Sequence, residues 1–201
     1  MSNNAALTTS RPAVLADLFP AVPLREAALV VGAAGFVGLC AQISIPLPWT
    51  PVPLTLQTFG VLLSGAILGA RRGVAAMSLY ALAGLMGVPW FSPPHRTHPG
   101  ALWGYIVGFI LAAGLAGAWA ERGQDRRPLA ALGTFFVADL SIYAVGLPWL
   151  ALGLHLSARQ TYTLGMEPFL GGDALKAIVA AGLLPGAWRL FGPKKISPPK
   201  D

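Results

Sequence analysis

Apolar residues run through this chain in about six long stretches, set apart by short polar or proline-rich breaks. The stretches lie at about 27–45, 54–70, 73–89, 101–120, 129–152 and 172–191. Each is close to the roughly 20 mostly apolar residues that carry a helix across a bilayer. The pattern predicts six transmembrane helices. Pro185 interrupts the sixth, and a bundle tolerates such a kink where neighbours satisfy the freed carbonyl. The breaks are of two kinds. Pro46 to Pro53 is stiffened by its prolines, Phe91 to Gly100 carries Pro93, Pro94, His95, Arg96, His98 and Pro99, and Gly153 to Gly171 is long and mixed. The alternate breaks, Arg71-Arg72 and Glu121 to Pro128, are tight and charged.

Composition strengthens the membrane reading. Of 201 residues, 55% are hydrophobic and 11% charged, against about 25% charged in ordinary soluble domains. Mean hydropathy is +0.62. The expected organisation is an all-α integral membrane domain over 27–191, with tails at 1–26 and 192–201 and no separate soluble domain. The net charge of +6 does not point to nucleic acid, because the basic residues cluster between apolar runs. Arg11, Arg25, Arg71, Arg72, Arg122, Arg126, Arg127, Arg189, Lys194, Lys195 and Lys200 fall at one set of ends, and Arg96 and Arg159 at the other. Positive residues mark the cytoplasmic side, so both termini are expected there, as an even number of spans also requires. The elaborate breaks then lie outside, where they suit ligand capture. Cys40 is the single cysteine and gives no disulfide framework. The first 25 residues lack a basic segment followed by an apolar core, so no cleavable signal peptide is expected.

Ionisable groups inside spans cost on the order of 2.5–3.5 kcal/mol each, so each needs a reason. Asp173 and Lys176 are spaced i, i+3 and share a helix face. Gly171-Gly172 puts Asp173 near a helix start, where a carboxylate can cap free N–H groups. The plain reading is a capping aspartate with a lysine that snorkels outward. Against it, Lys176 is a cation at the outer end, under the loops. An anion–cation pair in a dry pocket suits a polar, non-ionic ring such as a cyclic urea. Asp139, midway along the fifth run, reads as structural: protonated, or bonded to a backbone carbonyl or to Tyr143 one turn on. A proton relay needs partners, and none lies at helical spacing. Gln57 opens the second run and can orient a ligand or bond a neighbouring helix. Tyr80 and Trp90, on a segment that exits outside, complete the candidate ligand contacts with Gln57. Ala28-xxx-Gly32 and Ala34-xxx-Gly38 are small-residue faces for helix packing, within the bundle or against a partner. His95 and His98, with no Cys, Asp or Glu nearby, do not make a metal site. The sequence carries no P-loop, no Ser-His-Asp order and no dinucleotide motif, so no ATP hydrolysis, no cofactor and no enzymatic activity are expected. Asp139 with Tyr143 would make a poor catalytic pair for a membrane enzyme.

Several segments in series resemble the BioY family of biotin-binding S components of energy-coupling-factor (ECF) vitamin transporters. They are Ala41-Gln-Ile-Ser-Ile-Pro46, Val52-Pro-Leu-Thr-Leu-Gln57, Leu63-Ser-Gly-Ala-Ile-Leu-Gly69, Gly84-Leu-Met-Gly-Val-Pro-Trp-Phe91, Gly104-Tyr-Ile-Val-Gly-Phe109 and Gly165-Met-Glu-Pro-Phe-Leu-Gly-Gly-Asp-Ala-Leu-Lys176. The resemblance covers about 27–190. It implies a six-helix bundle in a bacterial cytoplasmic membrane that binds biotin from outside, with Asp173 and Lys176 as ligand contacts and Arg96 as the candidate from the second outer loop. It also implies a membrane T component and cytoplasmic ATP-binding subunits as partners. An S component for another vitamin, or a solitary homo-oligomeric biotin transporter, is the alternative. Two places depart from the family pattern. The loop Pro93-Pro-His-Arg-Thr-His-Pro-Gly100 replaces a glycine-rich stretch, and Gly171 stands where a proline often precedes Gly-Asp.

Overall fold

The computed structural model describes residues 13–18, 22–91 and 99–192. Among these the chain forms seven α-helices: α1 (Pro23–Gln42), α2 (Gln57–Leu68), α3 (Ala70–Leu85), α4 (Trp103–Ala120), α5 (Pro128–Leu154), α6 (Ala158–Gly165) and α7 (Leu170–Phe191). Two short strands, β1 (Ser44–Ile45) and β2 (Leu54–Thr55), pair antiparallel with Ser44 opposite Thr55. Among the described residues, four segments are long and apolar enough to cross a membrane: Pro23–Gln42, Gly100–Ala120, Pro128–Leu154 and Ala158–Phe191. α2, at 12 residues, is apolar but short, and α3 has 16.

The differences from the expected spans have local causes. Pro23 occupies the first helical position of α1, where its missing N–H costs nothing, so α1 starts there rather than at 27. The second run begins as strand: Leu54–Thr55 pairs with Ser44–Ile45, and α2 cannot start before Gln57. Gly69 alone separates α2 from α3, at φ 85°, a left-handed conformation that glycine adopts without penalty. The connection from Gly153 to Gly171 is largely helical. α5 continues to Leu154, and a capping box of Ser157 with Gln160 starts α6. Pro185 sits within a continuous α7.

Small residues set the packing. A Cβ on Gly65 would stand 2.5 Å from the Ala113 carbonyl oxygen, and one on Gly117 would stand 2.3 Å from the Ala70 nitrogen. The α2–α3 hairpin therefore lies directly on the α4 backbone, as small-residue helix interfaces allow in membranes. The buried core is Ala76, Met77, Tyr80, Ala112, Ala113, Ala116, Phe135, Ala138 and their neighbours. α5 and α7 run antiparallel: Tyr143 meets Asp173 near one end, and Trp188 bonds Asp125 near the other.

The end that carries Gly69 is closed by charge. Arg72 bonds Asp17 (2.8 Å) and Glu26, Arg25 pairs with Glu26 (3.0 Å), and Glu121 accepts from the Ala70 N–H (2.8 Å). A single 3-10 turn, Leu15–Leu18, is docked there with Val14 and Ala16 buried. Arg126 stacks on Trp188 with its guanidinium 4.3 Å from the ring centre. In this connector burial pushes the Asp125 carboxyl up, while the Trp188 N–H and the Arg126 charge pull it down.

Candidate functional site

At the opposite end, the helices and the β1–β2 hairpin enclose a cavity of about 410 Å3. Its walls come from the hairpin (Val52, Pro53, Thr55), the start of α2 (Gln57, Thr58), the end of α3 (Gly84, Leu85), α4 (Trp103, Tyr105, Ile106, Phe109), α5 (Ile142, Tyr143) and the start of α7 with Phe169 and Asp173. The lining is mostly apolar with few polar groups, the usual make-up of a small-molecule site. Thr50 donates to the Leu164 carbonyl and so ties the hairpin to α6 above the cavity.

Asp173 is the charged group in the wall. It lies in the first turn of α7 but does not cap it; the helix has no side-chain cap. Its side chain turns instead towards three donors. Lys176 Nζ donates to Oδ1 at 2.8 Å, Thr58 Oγ1 donates to the same oxygen at 3.2 Å, and the Tyr143 hydroxyl donates to Oδ2. Lys176 Nζ also donates to Thr58 Oγ1 at 3.0 Å. The Asp173 side chain is 6% exposed and that of Lys176 12%. So α2, α5 and α7 converge on one carboxylate, and Lys176 does not snorkel. The expected i, i+3 pair is present, and capping by Asp173 is not. Tyr143 bonds Asp173 on α7 rather than Asp139 on its own helix.

Gln57 reaches the cavity wall as part of a second chain of bonds. Its Nε2 donates to the Tyr80 hydroxyl at 2.8 Å, and its Oε1 accepts from Thr55 at 3.1 Å. Tyr80 in turn donates to the Trp90 carbonyl (3.3 Å), and the Trp90 indole N–H returns to the Tyr80 carbonyl (3.2 Å). Neither Tyr80 nor Trp90 is on the wall. They stand behind Gln57 and hold it. Phe91 lies over Gly84, where an added Cβ would fall 1.9 Å from the ring, and touches Tyr80 and Trp103 edge-on at 5.2 and 5.4 Å. Tyr105 donates to the Gly165 carbonyl at 2.9 Å and meets Tyr143 edge-on at 6.4 Å. Arg96, His95 and His98 lie outside the described residues.

The two small-residue faces of α1 part company. Ala34 and Gly38 turn inward, with Trp90 packed against Gly38, whereas Ala28 and Gly32 are exposed. Thr58 and Tyr143 were not among the expected site residues. Thr58 had a signal: a hydroxyl next to Gln57 at the polar start of an apolar helix. Tyr143 had only its position one turn from Asp139.

Residues 8–193 match the model of the BioY family. The chain belongs to the BioY family. Among its curated relatives, the biotin transporter BioY of Thermotoga maritima is 40% identical over 145 residues, 70% of this chain and 82% of that one. The biotin transporter BioY of Rhizobium etli is 33% identical over 185 residues, 86% of this chain and 90% of that one. A solved structure described as the S-component for biotin from an ECF-type ABC transporter aligns with a TM-score of 0.73 at 18% identity, over 83% of this chain and 92% of that one. That likeness establishes the fold. Membership of a transporter family, with four membrane-length apolar helical segments among the described residues, makes this a multi-pass membrane protein.

Proposed function

We propose that the chain binds biotin in the outer cavity and serves as the substrate-specific subunit of an ECF-type transporter in a bacterial cytoplasmic membrane. The observation that carries this reading is the buried Asp173 carboxylate, oriented by Lys176, Thr58 and Tyr143 at the edge of an apolar cavity. A cyclic urea presents N–H donors and a carbonyl acceptor together. Asp173 accepts from the former; Lys176, which stands off the wall on Asp173 and Thr58, turns to donate to the latter; and the apolar and aromatic walls take the rest of the ligand. Names of the relatives support biotin as that ligand. Arg96 contributes from the second outer loop, and Gln57, held by Tyr80 and Trp90, supplies a further polar contact.

In this reading the bundle crosses the membrane six times, α2 and α3 being the short pair. Both termini, the tails 1–26 and 192–201, and the Arg72 cluster are cytoplasmic. The exposed Ala28–Gly32 face of α1 takes a helix of a membrane T component, whose cytoplasmic ATP-binding subunits hydrolyse the ATP. A thermal-shift panel tests the ligand, since a compound that binds only the folded form raises its melting temperature. Biotin raises it, and riboflavin and thiamine do not. A shift with either of these and none with biotin would overturn the assignment. Uptake measured with and without the ATP-binding subunits separates coupled from solitary transport.

A further inference from the structure

The Gln57 amide in the cavity wall has a direction, and the residues behind it set that direction. A side-chain amide donates at one end and accepts at the other, and keeps nearly the same shape when the two ends are exchanged. What it offers a ligand therefore depends on its partners. The Trp90 carbonyl can only accept, so the Tyr80 hydroxyl directs its one hydrogen there (3.3 Å). The Tyr80 oxygen is left as an acceptor, and the amide end that faces it must be the donor, Nε2, at 2.8 Å. The other end is fixed in the same sense. Thr55 Oγ1 accepts the Gln57 backbone N–H at 3.3 Å and donates its own hydrogen to Gln57 Oε1 at 3.1 Å. Exchanging the two ends would set Oε1 against a hydroxyl whose hydrogen is already engaged, and Nε2 against the hydrogen of Thr55.

Tyr80 is itself held. It is fully buried, its ring lies 5.3 Å from that of Trp90 and 5.2 Å from that of Phe91, and its carbonyl accepts the Trp90 indole N–H at 3.2 Å. The Trp90 carbonyl also accepts from Gln42 Nε2 of α1 at 3.3 Å. Gln57 lines the cavity and is buried. Among the described residues the second hydrogen on its Nε2 has no acceptor, and a buried donor without one is costly, so a ligand acceptor is favoured there. Thr58, the next residue, donates to Asp173, so the amide and the carboxylate belong to one stretch of wall. A urea carbonyl has two lone pairs, one for Gln57 and one for Lys176.

We infer that Tyr80 is a positioning residue that sets specificity through Gln57, an inference that rests on the biotin reading above. Its hydroxyl holds the amide in the sense that presents an N–H to the carbonyl of the ligand's cyclic urea. A cyclic guanidinium carries an N–H group where the urea carries oxygen, so donor meets donor and the guanidinium is rejected. Discrimination of this kind works against the wrong ligand as much as for the right one. Without the Tyr80 hydroxyl the amide is free to reverse, and Oε1 can then accept from the guanidinium.

The test is calorimetric titration of biotin and of 2-iminobiotin, its cyclic guanidine analogue, into the purified chain, Tyr80→Phe and Thr55→Val at one neutral pH. Tyr80→Phe keeps the ring packing and removes the oxygen. Asp173 and Lys176 act alike in all three proteins, so a change in the ratio of the two affinities reports the amide. The wild-type chain is expected to prefer biotin by about tenfold or more. In Tyr80→Phe that preference is expected to narrow by about fivefold or more, with biotin weakened and 2-iminobiotin held or strengthened. Thr55→Val releases the other end of the amide and narrows the preference less. A merely structural role for Tyr80 lowers both affinities together and leaves their ratio alone. An unchanged ratio in Tyr80→Phe, or equal affinities in the wild-type chain, overturns the inference and leaves the biotin reading standing. Should Tyr80→Phe fold poorly, the ratio in Thr55→Val decides, and an unchanged value there overturns the inference. No biotin binding by the wild-type chain overturns the biotin reading and this inference with it.

Discussion

Two concavities among the described residues, one under the β1–β2 hairpin and one at the Gly69 end, are similar in size and opposite in character, and in the proposed orientation they are the outer and the inner one. The outer one, about 410 Å3, has apolar and aromatic walls and one buried carboxylate whose three donors come from α2, α5 and α7. The inner one, about 510 Å3, is lined by Asp17, Glu26, Arg71, Arg72 and Glu121. Charge is plentiful at the inner end, but the pairing there is in partly exposed geometry, with the Arg72, Asp17 and Glu26 side chains 25–35% exposed. Exposed ion pairs contribute little. A small-molecule site is distinguished by a few buried, pre-oriented polar groups in a dry wall, and only the outer concavity has them. The inner end instead has backbones in near contact at Gly65 and Gly117, which suits a rigid base for the loops above.

The largest expected effect follows from removing the outer carboxylate. Asp173→Ala leaves Lys176 buried without its counter-ion, which costs on the order of 3–5 kcal/mol, divided between stability and binding. Thermal unfolding and biotin titration together measure both shares. Tyr143→Phe is a finer probe: it deletes one donor to the carboxylate, a loss of about 1.5–3 kcal/mol. Biotin affinity is expected to fall about tenfold or more. Unchanged binding in Tyr143→Phe would show that the α5 donor does not orient the site.

How much of this was legible in the sequence depends on where the partners lie. Asp173 and Lys176 are three residues apart on one helix, so spacing alone brought them together. Thr58 and Tyr143 are 115 and 30 residues from Asp173, and no periodicity within a helix reports a meeting between helices. Asp139 looked solitary in the sequence, and among the described residues its Oδ1 has no hydrogen-bond partner. Tyr80 and Trp90 were legible as a pair near the outer end. Which side of the helix they faced was not, because that depends on Gly84 admitting Phe91 and on Gly38 admitting Trp90. The apolar runs showed the helices well, but not that Leu54–Thr55 would pair as a strand and shorten α2. The capping box at Ser157 and Gln160 was readable and marks α6, within what the apolar pattern alone leaves as a connection.

Smaller effects test the inner half. Gly117→Ala forces a Cβ against the Ala70 nitrogen and Gly69 carbonyl carbon, and overpacking of this kind costs about 1–3 kcal/mol. The melting temperature of the purified protein is expected to drop while the affinity of the folded fraction for biotin is kept. Arg72→Ala breaks the pairs with Asp17 and Glu26 and is expected to cost about 0–1 kcal/mol. Biotin affinity stays at the wild-type value. A large loss of biotin affinity in Arg72→Ala would mean that the inner concavity takes part in binding.

The most direct measurement is equilibrium biotin binding by the isolated chain, wild type beside Asp173→Asn and Lys176→Ala. The outer-site account predicts tight binding by the wild type and a loss of at least tenfold, about 1.4 kcal/mol, in each variant. Wild-type affinity retained in both variants would contradict it.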